Sequence, residues 1–169
     1  MSPKNKKTDE IPVIELHARE LPLKEHDFYQ KLRIRVRNWQ QEKGADYKWV
    51  EYIILAPDLF HLLVKLSFDK DVPTAKKAQL LFVTAYFISP IDLIPDPIPG
   101  IGLLDDIALA AFVLNSLMNS IDPQIIQRNW AGEQDILVLV KRIIEKADEM
   151  IGSGLYRKLI RLFKSKFSG

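Results

Sequence analysis

An all-α fold is the expectation, and three observations carry it. Apolar residues recur every three or four positions through most of the chain, as in Phe28, Leu32, Val36 and Trp39. Beyond an N-terminal arm, no stretch alternates apolar and polar residues as a half-buried strand would. Proline, glycine and aspartate stand at the ends of the periodic runs, where helices start and stop. The architecture implied is a helical bundle around a central apolar helical hairpin with a proline-rich corner.

Bulk composition narrows the function classes. A chain of 169 residues suits one domain. Its 24 basic and 22 acidic residues leave a net charge of +2, too balanced for a general polyanion binder. There is no cysteine, which excludes disulfides, zinc thiolates and a thiol nucleophile. That fits a reducing compartment. The opening MSPKNKKTDE lacks the apolar core of a secretory signal, so a cytoplasmic protein is expected.

Residues 1–22 read as a flexible or extended arm, because Pro12 and Pro22 bracket a weakly alternating segment. Residues 23–151 read as the helical domain. Its first helix is expected over Leu23–Lys43, closed by Gly44. A second runs over about Tyr47–Leu55. A third starts at Pro57, with Asp58 at the positive end of its dipole, and puts Leu59, Leu62, Leu63 and Leu66 on one side. DKDVP reads as a linker. Two helices follow, over Thr74–Ile88 and about Asp105–Asn119, and both are apolar nearly all round. Such helices lie either at the centre of a core or against lipid. They form the hairpin, within residues 73–119. Ile125–Trp130 reads as a short helical piece and NWAG, from Asn129, as a packed turn. Asp135–Ile151 is amphipathic, with Ile136, Leu139, Val140, Ile143, Ile144 and Ala147 inward. Residues 152–169 form a basic amphipathic helix that turns Leu155, Leu159, Leu162, Phe163 and Phe167 away from its cations.

The corner SPIDLIPDPIPGIGLLDD concentrates the chemistry. From Ala78 to Gln127 the only charged residues are five aspartates: Asp92, Asp96, Asp105, Asp106 and Asp122. Ser89 fits a helix cap, with Pro90 in the first turn and Asp92 at capping-box spacing. Pro95, Pro97 and Pro99 hold the residues before them extended, and Gly102 frees the backbone before the next helix. Asp105 and Asp106 would open that helix as caps. Asp96 is least accounted for by turn formation. The alternative is that Asp92, Asp96, Asp105 and Asp106 converge on a hard cation, Mg²⁺ or Ca²⁺, in a site that could be catalytic. Their spacing is not that of an EF-hand loop, and no histidine is near. GIG lacks the further glycine and the Lys-Ser/Thr pair of a phosphate loop.

The stretch from Asp71 to Leu114 resembles the YkvA family, a widespread domain of unknown function. Its residues Ser89, Pro90, Asp92, Ile94, Pro95, Asp96, Pro99, Gly102, Asp105 and Asp106 stand at the family's spacing. Pro97 departs from the large apolar or aromatic residue expected there. The resemblance covers about a quarter of the chain. It implies a helical hairpin and an association with membranes, and it transfers no activity, substrate or catalytic residue.

Spanning a bilayer is a poor fit. A transmembrane helix needs about 20 apolar residues to cross a core of about 30 Å. The apolar run from Ala78 to Ile91 rises only about 21 Å, at roughly 1.5 Å per residue. Extending either helix drags an aspartate into hydrocarbon. The hairpin is therefore expected either as the buried centre of a helical bundle or dipping into one leaflet. In the second case Lys76, Lys77 and Arg128 would sit at its cytoplasmic base.

Arg157, Lys158, Arg161, Lys164 and Lys166 in the terminal helix, with no acid among them, suit an anionic membrane surface or a protein partner. No nucleic-acid motif accompanies them, and nucleic acid is not expected. His17, His26 and His61 have no companion motif, and no serine sits in a nucleophile elbow. The chain thus reads as a non-enzymatic membrane-associated or interaction domain with no cofactor. A carboxylate-bound Mg²⁺ or Ca²⁺ at the corner is the alternative.

Overall fold

A computed structural model describes residues 21–44, 48–88 and 102–167, and every regular element among them is helical. Helix α1 spans Leu23–Trp39 and ends in a π-helical turn, Gln40–Gly44. Then come α2 (Val50–Ile53), α3 (Ala56–Ser67), α4 (Thr74–Ile88), α5 (Gly102–Met118), α6 (Pro123–Asn129), α7 (Ile136–Ile151) and α8 (Ser153–Phe167). The all-α class expected from periodicity is the class found.

The centre is not built from the expected pair. Helix α5 is buried on every side from Leu103 to Ala111, keeps Val113, Leu114 and Leu117 buried beyond, and meets α2, α3, α4, α7 and α8. Its partner at the centre is α3, whose leucines, Phe60, His61 and Ser67 are all buried. Helix α3 meets α1, α4, α5 and α6. Helix α4, expected at the centre, buries only Leu80, Val83, Thr84 and Phe87. Ala75, Ala78, Leu81 and Ala85 on its other side are exposed. The cause is a difference between two kinds of apolar helix. Helix α3 is rich in large side chains on every side, each of which needs contact. The outer row of α4 is mostly alanine, which loses little in water.

Polar groups inside α3 and α4 find local acceptors. The Ser67 hydroxyl donates to the Val64 carbonyl at 2.7 Å, and the Thr84 hydroxyl to the Leu80 carbonyl at 2.8 Å. Both satisfy a buried hydroxyl without a long-range partner. Two later helices start on aspartate caps. Asp122 accepts from the Gln124 N–H at 3.0 Å, with Pro123 in the first turn of α6. Asp135 accepts from the Leu137 N–H at 2.9 Å and opens α7. Gly152, at φ 85°, turns the chain from α7 into α8 in a conformation that other residues resist.

Helix α8 folds back on the same core. Phe163 sits 6.1 Å from Phe82 of α4 and 5.7 Å from Phe112 of α5, ring centre to ring centre. Leu159 and Phe163 are buried, as expected. Leu162 was expected inward and is instead 41% exposed. At 100° per residue it falls on the flank between the buried row and the cations.

Candidate functional site

Helices α4 and α5 leave the corner side by side. Phe82 lies four residues before Tyr86, and Phe112 seven after Asp105. One ring, Phe163, touches both phenylalanines, while the Tyr86 hydroxyl donates to Asp105 Oδ2 at 2.8 Å. The two helices are therefore an antiparallel pair, joined at the corner end by the tyrosine–carboxylate bond.

The start of α5 corrects the capping expectation. The helix begins at Gly102, so Asp105 stands in its first turn, at the positive end of the dipole as expected, but neither Asp105 nor Asp106 precedes the helix as its N-cap. Both are buried, at 1% and 6% exposure. The reason lies in Leu103 and Leu104, which are themselves buried and draw the helix start back toward the core. The two carboxylates are thus polar groups inside the protein, held by partners such as Tyr86, rather than surface caps.

Ser89, Pro90, Asp92, Pro95, Asp96 and Pro99 lie outside the described residues. Gly102 is the first residue of α5. Among the described residues no group of three or more His, Asp or Glu side chains could hold a metal ion. The proposed convergence needs Asp92 and Asp96, and of its four members the described residues include Asp105 and Asp106 alone.

A second polar centre was not anticipated. The DKDVP segment carries two aspartates that grip α6. Arg128 donates to Asp69 through Nε at 3.2 Å and through a terminal guanidinium nitrogen at 2.7 Å, and the same terminal nitrogen reaches Asp71 at 2.6 Å. Asn129 Nδ2 donates to Asp69 at 2.8 Å. The bonds from Arg128, with those from Asn129 and the Asp71 N–H, hold the Asp69 carboxyl down to about 2. In the leaflet-dipping reading Arg128 was expected to flank the base of the hairpin, and its side chain is tied by two carboxylates. These partners are 57 to 60 residues apart in sequence, so no local pattern announces them. Beside the clamp lies a cleft of about 330 Å³ lined by Leu21, Val64, Phe68, Lys65 and the clamp itself.

A third cluster joins α1 to α3. Tyr29 is fully buried and 5.5 Å from His61, which is 1% exposed. Arg33 donates to the Tyr29 hydroxyl at 2.8 Å and lies 3.7 Å from Asp58. His61 therefore packs in the core, and His26 lies 3.5 Å from Asp27 at the surface end of α1. His17 falls outside the described residues. These contacts hold two helices together.

The basic side chains of α8 are disposed as a face. Arg157, Arg161 and Lys164, spaced by four and three, share one row of the helix. They are exposed, as are Lys158 and Lys166. Among the described residues no helix is long and apolar enough to cross a membrane.

No curated protein and no solved structure is significantly similar to the chain. One family does match, described as "Protein of unknown function (DUF1232)", over residues 76–112: α4, the corner and the first two-thirds of α5.

Proposed function

We propose that the chain is a non-enzymatic helical domain that rests on an anionic membrane surface, at the cytoplasmic side, through the outer face of α8. The observation that supports this reading is the division of α8. Its aromatic side is occupied by the protein itself, with Leu159 and Phe163 buried. What remains for a partner is the exposed outer side, which carries Arg157, Lys158 and Arg161. This helix therefore does not lie in a bilayer by its own apolar stripe. It offers charge. A lysine or arginine near an anionic leaflet contributes on the order of 1 kcal/mol, so one or two hold little and several together hold a protein. The pattern of residues 71–114 is compatible with the YkvA family, the finer assignment within the matched domain of unknown function. That assignment agrees with membrane association and supplies no catalytic residue.

Co-sedimentation tests the reading. The full chain is expected to pellet with phosphatidylcholine vesicles containing phosphatidylserine, to stay in solution with phosphatidylcholine alone, and to bind less tightly as salt is raised. Replacing Arg157 and Arg161 by glutamate is expected to leave the melting temperature near the parent's and to abolish pelleting. Equal recovery in the supernatant for parent and variant at low salt would overturn the proposal.

A further inference from the structure

We infer that the outer face of α4 enters the headgroup region of the same anionic surface, with Leu81 as the inserting side chain. This rests on the reading of α8 given above and adds an apolar contact to its charges.

The starting point is an exposed helix face without charge. From Ala78 to Ile88 helix α4 has no charged residue, yet Ala78, Leu81 and Ala85 face outward. Leu81 is 47% exposed. A helix on the surface of a water-soluble domain ordinarily turns charged and polar side chains outward. Here the outward row, Ala78 to Ala85, is apolar over eight residues, a rise of about 10 Å.

Its neighbour says what covers it. Phe82 stands beside this row, next to Leu81 and three residues before Ala85. Its ring meets Phe163 at 6.1 Å and Phe167 at 5.5 Å. On α8, Lys164 is three residues before Phe167, and Arg161 and Arg157 continue the same row. The Phe82–Phe167 contact is therefore the seam between an apolar row and a basic row, each spanning eight residues. A second copy packed across both rows would have to bury Arg157 and Arg161 with no opposing charge in either row. An anionic bilayer answers both rows at once: its phosphates and carboxylates meet the arginines, and its glycerol and upper acyl region take the leucine. The alanines keep the row low, so entry is shallow and Leu81 is its deepest point.

The test uses the full chain and vesicles of phosphatidylserine with phosphatidylcholine, at low and at raised salt. Leu81→Asp replaces a side chain that already contacts water, so the fold is expected to hold, as circular dichroism would verify. The variant is expected to bind at low salt through α8 and to lose on the order of tenfold in affinity at raised salt, where the apolar contact is what remains. Leu81→Trp gives an independent readout. Brominated acyl chains are expected to quench it more than the parent's own tryptophans, and only in anionic vesicles. Parent-like binding by Leu81→Asp at both salts, or absent extra quenching of Leu81→Trp, would overturn insertion while leaving the α8 reading standing. No binding by the parent at either salt would remove both. A dimer in solution that Leu81→Asp dissociates would assign the row to a second copy and overturn the inference.

Discussion

The Tyr86 hydroxyl donates to Oδ2 of Asp105 at 2.8 Å, linking the last turn of α4 to the first turn of α5. This bond joins the two helices, and the residue that accepts it is buried. Removing the hydroxyl by Tyr86→Phe is expected to lower unfolding stability by about 1–2 kcal/mol, with the fold unchanged. Asp105→Ala is expected to cost more, since it strands the tyrosine and opens space beside buried leucines. Urea titration of the two variants tests the order, and equal stability of parent and Tyr86→Phe would show that the bond carries nothing.

Asp69 has a folded-state pKa of about 2, below its ordinary 3.8. A lowered carboxylate pKa adds stability above the unfolded value, and that stability is lost as pH falls through the folded one. The melting temperature is therefore expected to drop between pH 3.8 and about 2 through this group. Arg128→Met is expected to lower the melting temperature at neutral pH and to flatten that part of the acid profile. A variant with the parent's acid slope would place the acid-sensitive group elsewhere.

Gly132 lies under the indole of Trp130. A Cβ there would stand 2.2 Å from Trp130 Cζ2. The ring has little room to retreat, because its Nε1 donates to the Gln134 carbonyl at 2.8 Å. Gly132→Ala is expected to destabilise by about 1–3 kcal/mol through this overlap, and to move the tryptophan emission to longer wavelength as the ring is displaced.

Asp135 accepts two N–H groups at the start of α7. Asp135→Ala is expected to cost about 1 kcal/mol in thermal unfolding, and Asp135→Asn less than half of that. A larger loss would mean that α7 is held to α5 less firmly than its buried row suggests.

Element positions were readable because their signals are local. Thr74–Ile88 is found at the bounds expected of it, and Pro123 and Gly152 punctuate the later helices. The inward row of α7 was nearly complete, with Met150 added and Ile144 half-buried. What periodicity could not rank was which apolar helix is central. Helices α3 and α4 carry similar runs, and only the size of the outward side chains tells Phe60 from Ala78. The clamp on Arg128 and the pairing of Tyr86 with Asp105 were out of reach for another reason. Both join residues that only the folded chain brings together. The N-cap expectation for Asp105 and Asp106 failed because the helix starts earlier in the sequence, at Gly102, with Leu103 and Leu104 already buried in the core, a packing effect that overrides a local preference for aspartate at the cap position. At the candidate site the cations of α8 were legible, and the uncharged outer row of α4 was visible only as part of an all-round apolar run.

The seating of Phe163 on Phe82 and Phe112 also makes the terminal helix a cover. A chain cut short before Ser153, by a protease or by a premature stop, would lose more than five positive charges. It would bare two aromatic rings on adjacent helices, a sticky patch where the intact protein has a sealed one. Such a fragment would clump with itself and sediment with or without lipid. Helix α8 thus seals these rings as well as carrying its row of cations.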